Sequence, residues 1–193
     1  TPLSQLVPNW RDLRNKRLGI GGYAPTPTQI PAPSFPSGKM PSPLASNLAN
    51  KVTSGNFNVT PNPDTGYFDS RWVTFPDGSK ALMKPSPANM SNWGLDTTTM
   101  SQREALAYQM SDALGINKVP VTIFDKQLDA SFQQMVQNAN PAANLIDYAK
   151  DPTQFGDGAL LDMLLGNSDR HDYNWMIDKD GNIWFIDHGL TFG

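Results

Sequence analysis

Leu164–Phe192 reads LLGNSDRHDYNWMIDKDGNIWFIDHGLTF. An apolar run ends at Gly166 and delivers the chain into a polar loop, Asn167-Ser168-Asp169-Arg170-His171-Asp172-Tyr173-Asn174. Two short apolar stretches follow, Asn174–Ile177 and Ile183–Ile186, separated by Lys179-Asp180-Gly181-Asn182. Gly and Asn between two such stretches are hairpin chemistry, so the spacing predicts two short antiparallel strands. The second strand runs into Asp187-His188-Gly189. The hairpin therefore carries Asp169, Asn174 and Asp187 toward one end. Two carboxylates and an amide at one place suit phosphoryl transfer, in which a carboxylate orients the attacking hydroxyl and oxygen ligands hold Mg²⁺ against a polyphosphate. Upstream, Gly158–Gly166 (GALLDMLLG) predicts an apolar helix buried on most sides.

Further outward the chain alternates strand and helix signals. Tyr67–Phe75 (YFDSRWVTF) is rich in aromatic and β-branched residues and reads as a strand; Pro76-Asp77-Gly78-Ser79 is a turn, and Lys80–Lys84 returns. In Ser101–Leu114, Leu106, Met110, Ala113 and Leu114 form one helical stripe, with Gly115 as a stop. Ser101 and Glu104 have the spacing of a capping box. Val119–Phe124 reads as a short strand, and Ala130–Asn138 as a helix. Asp178-Lys179-Asp180-Gly181 begins like a calcium loop, but the glycine and glutamate such a loop needs at its sixth and twelfth positions are Ile183 and Gly189. It is a turn.

Composition narrows the function. The chain has 193 residues, no cysteine, two histidines and a formal net charge of −3. It suits one domain or one compact two-lobed unit. Thiolate metal sites, disulfides and a cysteine nucleophile are excluded. The slight acidity argues against a general nucleic-acid partner. No apolar run reaches the roughly 18–20 residues of a transmembrane helix, and the N-terminus has no signal-peptide core. A cytoplasmic protein, or one delivered into a host cytoplasm, is the expectation. Eleven of the 17 prolines precede Asp64, and Ala24–Pro43 (APTPTQIPAPSFPSGKMPSP) admits neither a helix nor an inner strand. Residues 1–63 are expected to form a proline-rich arm or linker.

D-R-H-x-x-N (Asp169–Asn174) followed by I-D-H-G-L (Ile186–Leu190) resembles the catalytic core of the phosphatidylinositol 3/4-kinase-like branch of the protein-kinase-like superfamily. The likeness is nearest to type II and plant-type phosphatidylinositol 4-kinases, and the motif is similar in HipA-like serine/threonine kinases. Asp64–Pro85 and Arg103–Val121 resemble, in order, the nucleotide-covering hairpin with its lysine strand and the next helix and strand. The resemblance implies an α+β, compact bilobal kinase-like fold over residues 64–193. A small antiparallel-sheet N-lobe would span about 64–125, and a reduced, mostly helical C-lobe about 126–193. It implies ATP and Mg²⁺ (or Mn²⁺) as cofactors. Asp169 would position the acceptor hydroxyl, with Arg170 and His171 supporting its loop. Asn174 and Asp187 would bind the metal. Lys84 would reach the phosphates, Glu104 would orient Lys84, and Gly66 would sit in the phosphate-covering loop.

Each assignment has a plainer competitor. Lys84 can be a strand-end surface lysine, Glu104 the partner of Ser101 in a cap, and Asp169 and Asn174 turn residues. Asp187 can simply end a strand, and His171 and His188 can be structural. The chain also departs from the family pattern. The covering loop is poor in glycine, Gly193 follows Asp187 by six residues, and no basic membrane face accompanies the site. The reading is therefore a kinase acting on a hydroxyl of an unknown protein acceptor in preference to a phosphoinositide. The alternative is a catalytically inactive kinase-fold binding module.

Overall fold

The computed structural model describes residues 42–63, 69–87, 97–141, 149 and 151–192. The chain divides into two compact units, Thr1–Ser37 and Gly38–Gly193, and every described residue lies in the second. Gly66 and the start of the predicted Tyr67–Phe75 strand fall outside the described residues, as does the arm before Ser42.

The described chain is α+β, with three helices, a five-stranded antiparallel sheet and a three-stranded one. Its elements in order are α1 (Pro43–Thr53), β1 (Asn58–Pro61), β2 (Arg71–Thr74), β3 (Lys80–Pro85), α2 (Met100–Ala113), β4 (Thr122–Asp125), β5 (Ala130–Gln134), β6 (Asn140–Pro141), α3 (Gln154–Leu165), β7 (Trp175–Ile177) and β8 (Ile183–Phe185). The larger sheet has the order β1-β2-β3-β5-β4, and the smaller β6-β7-β8.

Helix α1 lies inside the stretch read as an arm. Proline is compatible with it because Pro43 occupies the first helical turn, where no backbone donor is needed. Ser42 caps it, accepting the Ala45 N–H at 3.2 Å. The helix lays Leu48 and Val52 against Val73, Ala81, Met83 and Phe132 of the sheet. Lys51 reaches Asp77 in the β2–β3 turn at 2.6 Å. In that turn Asp77 Oδ1 accepts the Ser79 N–H at 3.0 Å, as the Pro-Asp-Gly-Ser stretch predicts.

Residues 130–134 correct a second expectation. They form strand β5, between β3 and β4, where a helix was expected. Ala130 and Phe132 alternate into the core on α1, whereas Ser131 stands directly opposite Lys84 of β3. Burial on both faces outweighed the helix propensity of Ala, Gln and Met.

A second core joins the three helices through Ala45, Ala107, Tyr108, Leu161 and Leu165. A third lies under the small sheet, where Trp175, Ile177, Ile183 and Phe185 meet Phe155 edge-on, 4.9 Å from the Trp175 ring. The Phe185 N–H bonds to the Lys118 carbonyl at 2.8 Å, tying β8 to the segment after α2. Helix α3 is buried on one side only. Leu161 and Leu165 are fully covered, whereas Leu160, Met163 and Leu164 are exposed, contrary to the expectation of burial on most sides.

Gly158 allows α3 to approach β8, because a Cβ there would overlap the Phe185 ring. Gly→Ala inside a helix ordinarily stabilises by about 1 kcal/mol. Here Gly158→Ala is expected to destabilise by about 1–3 kcal/mol, as overpacked cores do, read as a lower urea midpoint at unchanged slope. A raised midpoint would contradict the packing described.

Candidate active site

Five places in the chain supply the candidate residues: the end of β3, the first turns of α2, the end of α3, the loop 167–174, and the segment after β8. At the centre is Lys84. Its ammonium lies 2.5 Å from Glu104 Oε1 and 3.2 Å from Asp187 Oδ1. Glu104 is 3 % exposed, and its second oxygen accepts the backbone N–H of His188 at 3.1 Å. One glutamate thus joins α2 to β3 and to the turn bearing Asp187. Ser101 Oγ donates to the Lys84 carbonyl at 2.8 Å. Helix α2 begins at Met100 after Thr99 with no side-chain cap. The Ser101–Glu104 capping box is therefore not formed; both side chains serve β3.

Three charges in partial burial shift one another. Burial alone would lower the Lys84 pKa, but the Asp187 and Glu104 carboxylates outweigh it and raise it. Burial raises that of Glu104 despite the lysine, and the Asp187 charge adds to the rise. Asp187 is lowered, chiefly by Lys84, and its side chain is half exposed. Asp187 adopts φ 60°, a left-handed conformation Asp tolerates better than most residues. At Gly189, two residues on, the backbone passes close to the Met100 side chain, whose Cε would lie 2.8 Å from an added Cβ.

The loop is set by the end of α3. Gly166 turns left-handed (φ 61°) and ends the helix, and the Asn167 N–H returns to the Asp162 carbonyl at 2.8 Å. Asn174 Nδ2 donates to the Asp169 carbonyl at 2.8 Å, closing the loop. Asn174 is buried, yet its Oδ1 has no hydrogen-bond partner among the described residues. The half-buried Asp169 carboxylate likewise has no partner among them. Arg170 turns inward to Asp162, to the Asn174 and Ile186 carbonyls and to His188. His171 is exposed; its Nδ1 accepts the Tyr173 N–H at 3.3 Å, and its ring meets that of Tyr173.

The structure thus joins Lys84, Glu104 and Asp187 directly, and Asp169, Arg170 and Asn174 through the loop. Arg170 links the two sets, and His171 stands apart on the surface. Two further residues belong here. His188 is fully buried with Nε2 2.9 Å from Arg170 Nη2, so Nε2 accepts and the proton sits on Nδ1, which finds no partner among the described residues. Asp162 was not picked out in sequence, although it is the one charge in GALLDMLLG. A lone acid in an apolar helix was the available signal.

Among the described residues no three His, Asp or Glu side chains cluster as a metal cage. Mg²⁺ does not require one. It takes one or two protein oxygens and completes its shell with water and phosphate. Asn174 Oδ1, without a partner among the described residues, and the half-exposed Asp187 carboxylate could serve as such oxygens.

Residues 153–193 match the family model for phosphatidylinositol 3- and 4-kinase. The match covers α3, the loop and the small hairpin, 41 of the 193 residues, and it suggests kinase-type phosphotransfer. It does not extend to the HipA-like kinases. Among curated proteins none matches the chain.

His188 gives the site an acid limit. Burial, then Arg170, lowers its pKa to about 3. A base that the fold keeps neutral contributes stability fully above its unfolded pKa of about 6.5, lost as pH falls toward 3. Unfolding free energy is expected to fall by up to about 1.4 kcal/mol per pH unit from this residue across that window. Urea titrations at several pH values, compared with His188→Gln, read the slope. Parallel curves for the two proteins would refute it.

Proposed function

We propose that this protein is a kinase-like phosphotransferase that uses Mg-ATP to phosphorylate a hydroxyl. The observation that carries the reading is the Lys84 ammonium held between Glu104 and Asp187, side chains that lie 20 and 103 residues away in sequence. A structural module needs no such assembly beside a loop with a free carboxylate and a free amide oxygen. The family match over 153–193 supports the same chemistry.

On this reading the five-stranded sheet with α2 is the N-lobe, and α3 with the small sheet is the C-lobe. Lys84 pairs with nucleotide phosphates, oriented by Glu104. Asn174 Oδ1 and the Asp187 carboxylate would hold the magnesium ion, which would neutralise charge on the transferred γ-phosphoryl group and on the ADP that leaves. Asp169 accepts a hydrogen bond from the acceptor hydroxyl and aligns it for in-line attack. Arg170 keeps the loop in place, and His171 supports it from the surface.

The acceptor is a protein hydroxyl rather than a phosphoinositide. Residues 151–192 hold eight aspartates against one arginine and one lysine, a formal −6 around the catalytic loop. Anionic headgroups would be repelled by such a surface, which lacks the basic residues that bind acidic bilayers. No helix of the described residues is long and apolar enough to cross a membrane.

Thermal unfolding with and without Mg-ATP tests the site. A ligand at about 100 times its Kd adds roughly 2.7 kcal/mol, a rise of several degrees. The rise is expected to need magnesium and to vanish in Asp187→Ala, which keeps the fold. No rise at millimolar Mg-ATP would overturn the kinase reading and favour a non-catalytic binding module.

A further inference from the structure

We propose that Asp162 is a positioning residue that, through Arg170, sets where the Asp169–Asn174 loop stands relative to Asp187. The inference rests on the kinase reading for its catalytic consequence, but not for its structural one.

Its basis is the saturation of one guanidinium. Arginine has five N–H donors in a rigid plane. In Arg170 every one is used. Nε donates to Asp162 Oδ2 at 2.8 Å, and Nη2 to Asp162 Oδ1 at 2.9 Å and to His188 Nε2. Nη1 donates to the Ile186 carbonyl at 2.8 Å and to the Asn174 carbonyl. The ring of Phe185 lies 5.3 Å below. Asp162 is also held from a second side, since Oδ1 accepts Asn167 Nδ2 at 2.8 Å.

The two-pronged pairing with Asp162 fixes the plane of the fork, and a fixed plane fixes where Nη1 points. It points at two carbonyls. One belongs to Asn174, whose side chain is a proposed metal ligand. The other belongs to Ile186, the residue before Asp187. The same two residues are joined by the Ile186 N–H to the Asn174 carbonyl at 3.0 Å. The spacing of both proposed metal ligands thus hangs on a plane that Asp162 orients from a third element, α3. Asp162 and Arg170 are 14 % and 20 % exposed in their side chains. A mostly buried ion pair is a poor means of gaining stability alone, because both charges lose water. A leucine at 162 would continue the apolar helix. The acid is explained by what its partner must reach. Both Asp162 oxygens bond to Arg170 and one also to Asn167, so it acts through them.

Amide hydrogen exchange on the full chain, without nucleotide, is the first readout. In Asp162→Asn, which keeps shape and loses charge, the Asn174 and Ile186 amides are expected to exchange on the order of tenfold faster, while those of Val73, Ala81 and Phe132 stay protected. Arg170→Lys keeps the charge but not the fork, and is expected to give the same local signature. Mg-ATP turnover is the second readout. A displaced loop that misplaces both proposed metal ligands is expected to lower kcat/KM for Mg-ATP on the order of 10²-fold. Unchanged exchange in both variants overturns the proposal. So does a uniform rise over the whole body, which would make the pair a stability element only. A wild-type chain without turnover would overturn the kinase reading, and the exchange pattern would still decide the role of Asp162.

Discussion

The ammonium of Lys84, held between Glu104 and Asp187, is the interaction on which the rest of the structure converges. One cation faces two carboxylates, so the cluster carries a net negative charge in a place with little water. The two acids do not share that excess equally. Burial pushes Glu104 toward its neutral form, whereas Asp187, half exposed, stays the better anion. The asymmetry follows from position. Glu104 grows from a packed helix and also holds the His188 N–H, while Asp187 stands at a left-handed turn open on one side. An anionic, half-open carboxylate beside a lysine is what the proposed function would need to receive a second cation.

The remaining fold brings these side chains together and keeps them apart by fixed amounts. Sheet β1-β2-β3-β5-β4 makes β3 an inner strand, so Lys84 cannot drift with an edge. Helix α1 covers one face of that sheet, and Lys84 projects from the other. Close approaches are made where side chains are absent, at Gly158 under Phe185 and at Gly189 beside Met100. Arg170 then joins α3, the loop and the end of β8 through an ion pair with Asp162, hydrogen bonds and the Phe185 ring beneath it. The network needs its acceptors, because a largely buried guanidinium left short of partners is costly.

Legibility in the sequence followed the range of the forces involved. Local signals were readable. The Pro-Asp-Gly-Ser turn, the stop at Gly166 and the hairpin 175–185 all depend on a few adjacent residues, and all form. The pattern D-R-H-x-x-N with D-H-G marked the loop and the turn that the structure brings together. Strand β5 was not readable, because Ala-Ser-Phe-Gln-Gln becomes a strand only between two others. Nor was the fate of Glu104, for which the local partner Ser101 and the distant Lys84 were both open and tertiary packing chose the lysine. Asp162 lies eight residues from Arg170, a spacing no helix or strand period brings together, so that pair exists only because the chain reverses at Gly166.

The hydrogen bond from Lys84 to Asp187 bears on how such a site would work. A lysine that stays on Asp187 neutralises the very carboxylate a metal ion would need. The two bonds are unequal, however: 2.5 Å to Glu104 and 3.2 Å to Asp187. Glu104 is buried and fixed by a backbone N–H, so it cannot follow the lysine elsewhere. The weaker, more exposed contact is the one that yields. Entry of a phosphate–magnesium pair would supply an anion for the lysine and a cation for Asp187 at once, replacing one ion pair by two with no charge left bare. On the proposed reading the longer contact to Asp187 would be the one given up to a metal ion, and the shorter one to Glu104 would hold the lysine in place.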